Sequence, residues 1–455
     1  MTDMTTGPLR GHLWRYALPL MLGNWLQLAS NAVDSIIAGR FIGQDALAAE
    51  GVAGPVMNLA ILAITGLCLG AGVLMSEAFG AKNDEALQKT LATTLLFGAG
   101  LSAAAALLGV AAAPLLLRWL AVPADIFAIT TVYLRITFLG APFTFVYNAL
   151  AAAFKSVGDA KTPLRFLAFS AVLNAVLDLV FIGGLGFGIV CSAVTTVAAE
   201  GASAALAVWY LVRRCPALCP PRALWRIDRG RLGRILKYGG VTALQQAVQP
   251  VGKVLIQGQV NALGVSAIAA FNAATRVDDF AFTPEQSIAQ AITTCLAQNR
   301  GAGRTDRLRA GFAAGLQLEL GYWAVVGTLV ALLRTPLVSL FVSGPGAAQV
   351  VAQGSAYLGM MALFYLLPAL TNGFQGFYRG MGRMKVTLLG TAVQVTLRVA
   401  GTWLLAPRLG LPGIAWACAL GWCAMLAFEV PYSLRVLRQA GAAPRRPGAR
   451  GAGNA

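Results

Sequence analysis

The sequence predicts an all-α, polytopic membrane protein with twelve transmembrane helices in two six-helix lobes, and three observations predict it. Of the 455 residues, 57% are hydrophobic and only 12% are charged, with a mean hydropathy of +0.69. Soluble domains carry about a quarter charged residues, so this chain has too little polar surface to cover water-facing domains of its length. Its apolar residues fall in long runs separated by short basic loops, and the runs match the roughly 20 residues that a helix needs to cross a bilayer. The third observation is that the second half of the chain repeats the first.

Glycine, proline and charge punctuation place the spans at 13–39, 46–78, 91–119, 126–154, 162–184, 187–212, 238–262, 265–298, 310–334, 347–378, 384–406 and 411–437. Gly51, Gly54 and Pro55 mark a point where the second span can kink. The first run lacks a short apolar core followed by a small-residue cleavage site, so it reads as a retained helix.

Basic residues orient the spans. Four lie in alternate loops (Arg40, Arg118, Arg334, Arg408) and four inside spans (Arg135, Lys253, Arg276, Arg398). The other 27 of the 35 belong to the amino terminus, the even-numbered loops and the carboxyl tail. The positive-inside rule then places both termini in the cytoplasm of a multi-pass protein of the plasma (inner) membrane. This distribution also accounts for the net charge of +17 without a nucleic-acid partner. The expected organisation is an N-lobe over 1–213, a basic cytoplasmic linker over 214–237 that can touch anionic headgroups, and a C-lobe over 238–438. The tail over 439–455 is rich in Gly, Ala, Pro and Arg, a composition that predicts disorder.

Internal similarity carries the functional argument. A shift of 221 residues lays Gly43–Ala49 over Gly264–Ala270 and Gly80–Leu87 over Gly301–Leu308. A shift of 224 matches Asn148 to Asn372, Lys155 to Arg379, Gly158 to Gly382 and Gly186 to Gly410. Six spans per copy is an even number, so both copies have the same orientation. Transporters built from such parallel repeats bind substrate near the midplane and alternate access around it.

Ionisable residues inside spans mark ion paths, substrate contacts or buried partners. Asp34 lies in span 1 with Gln27 on the same face, and Asp178 lies in span 5 with Asn174 one turn earlier. Thr196 enters span 6 at a comparable depth. Two carboxylates in one low-dielectric pocket cannot both ionise easily, which suits a proton carrier. The same oxygens, from Asp34, Asn174, Asp178 and Thr196, can instead hold Na⁺. In the second lobe, Lys253 and Arg398 either join Arg276, Asp278, Asp279 and Glu285 in a neutralising network or receive an anionic group of the substrate. Glu200, Glu319 and Glu429 are expected nearer helix ends or against neighbours and receive no role.

Other chemistries are disfavoured. The single histidine, His12, leaves no histidine metal site or triad. The seven cysteines are scattered, most of them in apolar runs. No cofactor or resident metal is expected, and no catalytic constellation of an enzyme or selectivity filter of a channel is visible.

The chain resembles the multidrug and toxic compound extrusion (MATE) transporters across all twelve spans. The carrying segments are Val33–Gly39, Gly158–Pro163 with Leu173–Asp178, Ala273–Asp278 and Ala297–Arg304. The resemblance implies a monomeric antiporter that expels small organic compounds in exchange for H⁺ or Na⁺. It implies cation coupling through Asp34, Asn174, Asp178 and Thr196, and a first helix that bends when those acids protonate. Gln27, Asp34, Lys253 and Arg398 are the candidate substrate contacts. One branch of the family carries acids in spans 7 and 10, where this chain has Gln249 and Pro368, so the resemblance is to the DNA-damage-inducible-F-like branch. Where some members have a second Asn one turn after Asn148, this chain has Ala151. A lipid-linked precursor flippase of the same superfamily is the alternative, and it requires a strongly cationic cavity.

Overall fold

The computed structural model describes residues 2–344 and 346–442, and all regular structure among them is helical. The expected tail lies outside the described residues from 443 onward, while 439–442 complete the last helix.

The helices are α1 (Leu9–Ile37), α2 (Gln44–Gly80), α3 (Asp84–Trp119), α4 (Ala124–Ser156), α5 (Lys161–Asp178) and α6 (Ile189–Arg214). After them come α7 (Arg229–Ala262), α8 (Val265–Gly301), α9 (Thr305–Ser339), α10 (Ala347–Phe364), α11 (Leu366–Gly380), α12 (Met384–Leu409) and α13 (Leu411–Ala442). Each expected span has its helix. The tenth span is two helices because Pro368 has no N–H to donate to the carbonyl of Phe364, and α10 stops there. Pro55 behaves differently: α2 runs through it without a break.

Nine helices among the described residues are long and apolar enough to cross a membrane. The long helices α1, α7 and α8 fall outside that set. They carry Gln27 and Asp34, then Gln245, Gln249 and Lys253, then Arg276, Asp278, Asp279 and Glu285. The polar residues that lower their hydropathy are those on which the functional argument rests.

The chain divides into two compact units. One comprises Tyr16–Met75 and Asp84–Ala247; the other comprises Thr2–Arg15, Ser76–Asn83 and the chain from Val248. These limits differ from the lobe boundaries expected at 213 and 238, because α1, α2 and α7 each contribute to both units. The first half of α7 stays with α2 through glycine contacts. A Cβ on Gly70 would meet the backbone of Gly239 at 2.3 Å, and one on Gly66 would meet that of Ala243 at 2.4 Å. In the same unit, Gly98 and Gly109 of α3 leave room for the rings of Phe145 and Phe138 of α4. Close backbone approach at small residues is how helices associate where no hydrophobic force drives them together.

In the second unit the duplication is visible as a crossing. A Cβ on Gly80 would lie 1.9 Å from the carbonyl of Gln298, and one on Gly301 would lie 1.9 Å from the carbonyl of Glu77. Gly80 and Gly301 are equivalent under the 221-residue repeat, as are Glu77 and Gln298, so one contact is seen from both of its copies. Arg300 clamps the crossing by donating to Glu77 at 2.8 Å. The amino-terminal segment is tied alongside: Met4 donates its N–H to Gln298 at 3.0 Å, and Asn299 and Arg307 donate to the Met4 carbonyl.

Gly80→Ala and Gly301→Ala should each destabilise the purified protein by about 1–3 kcal/mol, the usual cost of overpacking a close contact. Gly100→Ala, whose added Cβ meets nothing within 4 Å, should not. Thermal unfolding in detergent separates these outcomes.

Candidate functional site

Asp178 is the last residue of α5 and is 1% exposed. Two neighbours hold its carboxyl. Asn174, one turn earlier, donates its Nδ2–H to Oδ2 at 3.2 Å, and Thr195 of α6 donates its hydroxyl to Oδ1. The Thr195 oxygen also lies 2.9 Å from the carbonyl of Ser192 and 3.1 Å from that of Cys191. A hydroxyl has one proton and two lone pairs. With Asp178 ionised, Thr195 donates to it; with Asp178 protonated, Thr195 accepts from it and turns its proton to a carbonyl. The pocket therefore satisfies Asp178 in either protonation state without moving a helix.

Asp34 is half-buried near the end of α1, and its Oδ1 is shielded from solvent without a hydrogen-bond partner. It lies close enough to Asp178 and Glu50 for their charges to interact. Glu50 of α2 accepts a hydrogen bond from Ser35 at 3.2 Å, and Tyr133 of α4 lies within electrostatic reach of all three acids. A single region of the first unit thus gathers Asp34, Glu50, Asp178, Asn174, Thr195 and Tyr133.

The helix ends beside the two aspartates are unusual. α1 passes into a π turn over Ala38–Ile42, and α5 passes into one over Leu179–Gly184. A Cβ on Gly183 in the second would meet the ring of Phe41 from the first at 3.5 Å, and Ala38 packs with Ile189 against Tyr133. Wide turns of this kind inside transmembrane helices gather at functional sites, because their loosened hydrogen bonding can rearrange at low cost. The other end of α1 is anchored: the Tyr16 hydroxyl donates to the Lys155 carbonyl at 2.9 Å, and Gly23 faces Leu164 and Leu167 of α5.

The expected residues are placed unevenly. Asp34, Asn174 and Asp178 come together. Thr196 is half-buried, one position past Thr195, which is the residue that bonds Asp178. Gln27 is exposed and donates to Asn31 at 3.1 Å, so Gln27, Asn31 and Asp34 form a polar stripe along α1. Glu50 receives no role from the sequence, although it stands inside the second expected span, 46–78, where an acid is itself a signal.

In the second unit Lys253 pairs with Asp279 at 3.2 Å. Asp278 is buried, accepts the Tyr365 hydroxyl at 2.5 Å, and lies within electrostatic reach of Arg398, which in turn sits against Cys418. The break before Pro368 is what leaves Tyr365 at the mouth of α11, facing Asp278. Of the other members of the expected network, Glu285 accepts from Asn372 instead of a cation, and Arg276 is exposed. Of the two placements expected for the remaining acids, near helix ends or against neighbours, the structure shows the second: Glu319 and Glu429 are both 0% exposed, and Glu200 accepts the Thr144 hydroxyl at 2.5 Å. Glu319 lies near the middle of α9.

A polytopic helical membrane protein built twice over, with ionisable groups buried inside each unit, is the class these observations define. The chain belongs to the MatE family, whose profile matches residues 19–180 and again 242–404. Two separate matches to one family profile agree with the internal repeat. Among similar proteins, the probable multidrug resistance protein YpnP of Bacillus subtilis strain 168 is 29% identical, covering 90% of this chain and 92% of its own. The probable multidrug resistance protein YoeA of the same organism is 30% identical over 73% and 74% of the two chains. The fold matches a multidrug resistance MATE family transporter of the MOP superfamily in its outward-facing conformation, with a TM-score of 0.90 at 20% identity over 97% of this chain and 98% of that one. A MOP superfamily transporter from Pyrococcus furiosus gives a TM-score of 0.89 at 20% identity, over 97% and 98% of the chains.

Thr195→Val removes one of the two hydrogen bonds to a buried carboxyl and should cost about 1–3 kcal/mol of stability. Thr196→Val should cost less than half as much. Unfolding of the two variants side by side tests which threonine holds Asp178.

Proposed function

We propose that the protein is a secondary active antiporter that exports organic compounds across the plasma (inner) membrane in exchange for H⁺, with Na⁺ as the alternative ion, coupled through Asp34 and Asp178. Both termini lie in the cytoplasm on this reading. The observation that carries it is the pocket around Asp178, which accommodates the acid with or without its proton. Support comes also from the relatives named as multidrug resistance proteins, which match the chain over most of their length.

The chemistry is competition between ion and cargo. Outside, protons neutralise Asp34 and Asp178, the attraction for a cationic compound falls, and cargo leaves. Inside, the acids lose their protons, and their negative charge, with the Gln27 and Asn31 amides along the same stripe, favours the next cation. Reciprocal linkage requires that bound cargo weaken proton binding to the same degree. The π turns give α1 and α5 a place to change shape beside the acids, and the anchored end of α1 confines that change to the half that carries Asp34.

The second unit bears on the cargo. A lipid-linked precursor flippase requires free cationic groups, whereas Lys253 is paired with Asp279 and Arg398 lies beside Asp278. Their charges are offset within the protein, which favours the antiporter reading.

Efflux of a fluorescent cationic dye, measured in everted vesicles under an imposed pH or Na⁺ gradient, tests the proposal. Coupling free energies of about 1–3 kcal/mol correspond to roughly 5–150-fold effects, so Asp34→Asn and Asp178→Asn should each slow driven efflux at least fivefold. The gradient that drives the wild type names the ion. Unchanged efflux in both variants would overturn coupling through these acids. A folded wild type that moves no cationic dye but moves an anionic one would overturn the cargo assignment.

A further inference from the structure

The second unit holds a carboxyl pair that the coupling scheme does not use. Glu285 of α8 is 1% exposed and Glu319 of α9 is 0% exposed. Tyr322 of α9 donates its hydroxyl to the carbonyl of Ala281 at 3.0 Å, which sets the register between these helices. From that contact, one turn back along α9 is Glu319 and one turn forward along α8 is Glu285. Adjacent residues of α11 meet them both. Asn372 donates its Nδ2–H to Glu285 Oε2 at 3.2 Å, and the next residue, Gly373, lies against the Glu319 side chain. Any side chain at 373 would strike Leu316, one turn before Glu319, so glycine there lets α11 close over the pair.

Glu319 is the unusual member. Both of its oxygens are buried, and neither has a hydrogen-bond partner. An ionised carboxylate in that position would be expensive, and two ionised carboxylates in reach of one another more so. The groups that act on the pair from the packed helices are phenols and an amide: Tyr322 of α9, Tyr365 at the start of α11, and Asn372. Tyr357 of α10 answers instead to Asp278 and Arg398, and Glu429 of α13 is bonded by Gln375 at 2.6 Å and faces Arg379. Among the described residues, no positive charge is therefore placed to hold both acids ionised. One polar donor, Asn372, is placed to stabilise a single carboxylate.

We propose that Glu285 and Glu319 form a proton-binding site of the second unit, sharing one exchangeable proton with Asn372 as the donor that steadies the ionised partner. Proton uptake converts one charge into none, and release restores it on Glu285, where Asn372 already points. The site is separate in sequence and in unit from Asp34 and Asp178. The inference does not rest on the antiporter reading and stands or falls by itself.

The test is pH-difference infrared spectroscopy of the purified full chain in lipid, run on an Asp34→Asn/Asp178→Asn background that silences the first-unit aspartates. Between about pH 3 and about pH 9, a range that starts below ordinary glutamate titration at about 4.3, a protonated-carboxyl band should disappear. Glu285→Gln, isosteric with the protonated acid, should abolish that change, whereas Glu319→Gln, which stands in for the partner that keeps its proton, should retain it with a moved midpoint. Asn372→Ala keeps both acids and should move the pH midpoint of the band, which guards against variants that fail to fold. Na⁺ added at constant pH should leave the band in place. Identical difference spectra with and without Glu285→Gln, a midpoint unmoved by both Glu319→Gln and Asn372→Ala, or a band displaced by Na⁺ would each overturn the proposal.

Discussion

A carboxyl group inside an apolar helical protein must find hydrogen-bond donors, an opposite charge or a proton, and this constraint organises the molecule. Unsatisfied polar groups cost several kcal/mol in such surroundings, so every buried acid dictates what packs beside it. Asp178 is met by Asn174 and Thr195, and Asp278 by Tyr365 with Arg398 in reach. Glu429 is met by Gln375, and Glu200 by Thr144. Buried oxygens without a hydrogen-bond partner remain on Asp34, Glu319 and Glu429, and of these Glu429 has the Arg379 charge in reach.

The repeat shows how one architecture serves two environments. Asn174 and Arg398 occupy equivalent positions on α5 and α12. In the first unit the short amide supports a nearby acid on its own helix, and the site stays open to a proton or cation. In the second unit a guanidinium at the same place sits against Cys418, with Asp278 from α8 in electrostatic reach. The protonatable groups of the second unit sit instead between α8 and α9, around Glu285 and Glu319. The geometry of the repeat is conserved where backbone meets backbone, at Gly80 and Gly301, and is free to differ where side chains face the interior.

Most of the architecture was legible in the sequence because the bilayer imposes it. Span lengths, the duplication and the pairing of Asp178 with Asn174 follow from hydropathy, register and helical spacing. Details set by side-chain direction were not legible. Thr195 and Thr196 differ by about 100° around α6, and nothing in the local sequence says which of them faces α5. The π turns after Ile37 and Asp178 carry no sequence signature beyond nearby glycines. Glu50 stands inside the second span with no polar residue at helical spacing beside it, and Glu319 sits in a run whose partner, Glu285, is 34 positions away on a neighbouring helix. The split at Pro368 was visible as a proline, but its consequence, a tyrosine turned toward Asp278, depends on how α11 packs against α8.

The central claim is that bound cargo and the proton on Asp178 exclude one another. Proton release on cargo binding measures this directly: purified protein in weakly buffered detergent, near neutral pH, receives a cationic dye while a pH indicator is followed. The account predicts that wild type releases protons as the dye binds, and that Asp178→Asn binds dye with that release reduced or lost. Dye binding without proton release in the wild type, or release undiminished in Asp178→Asn, would contradict it.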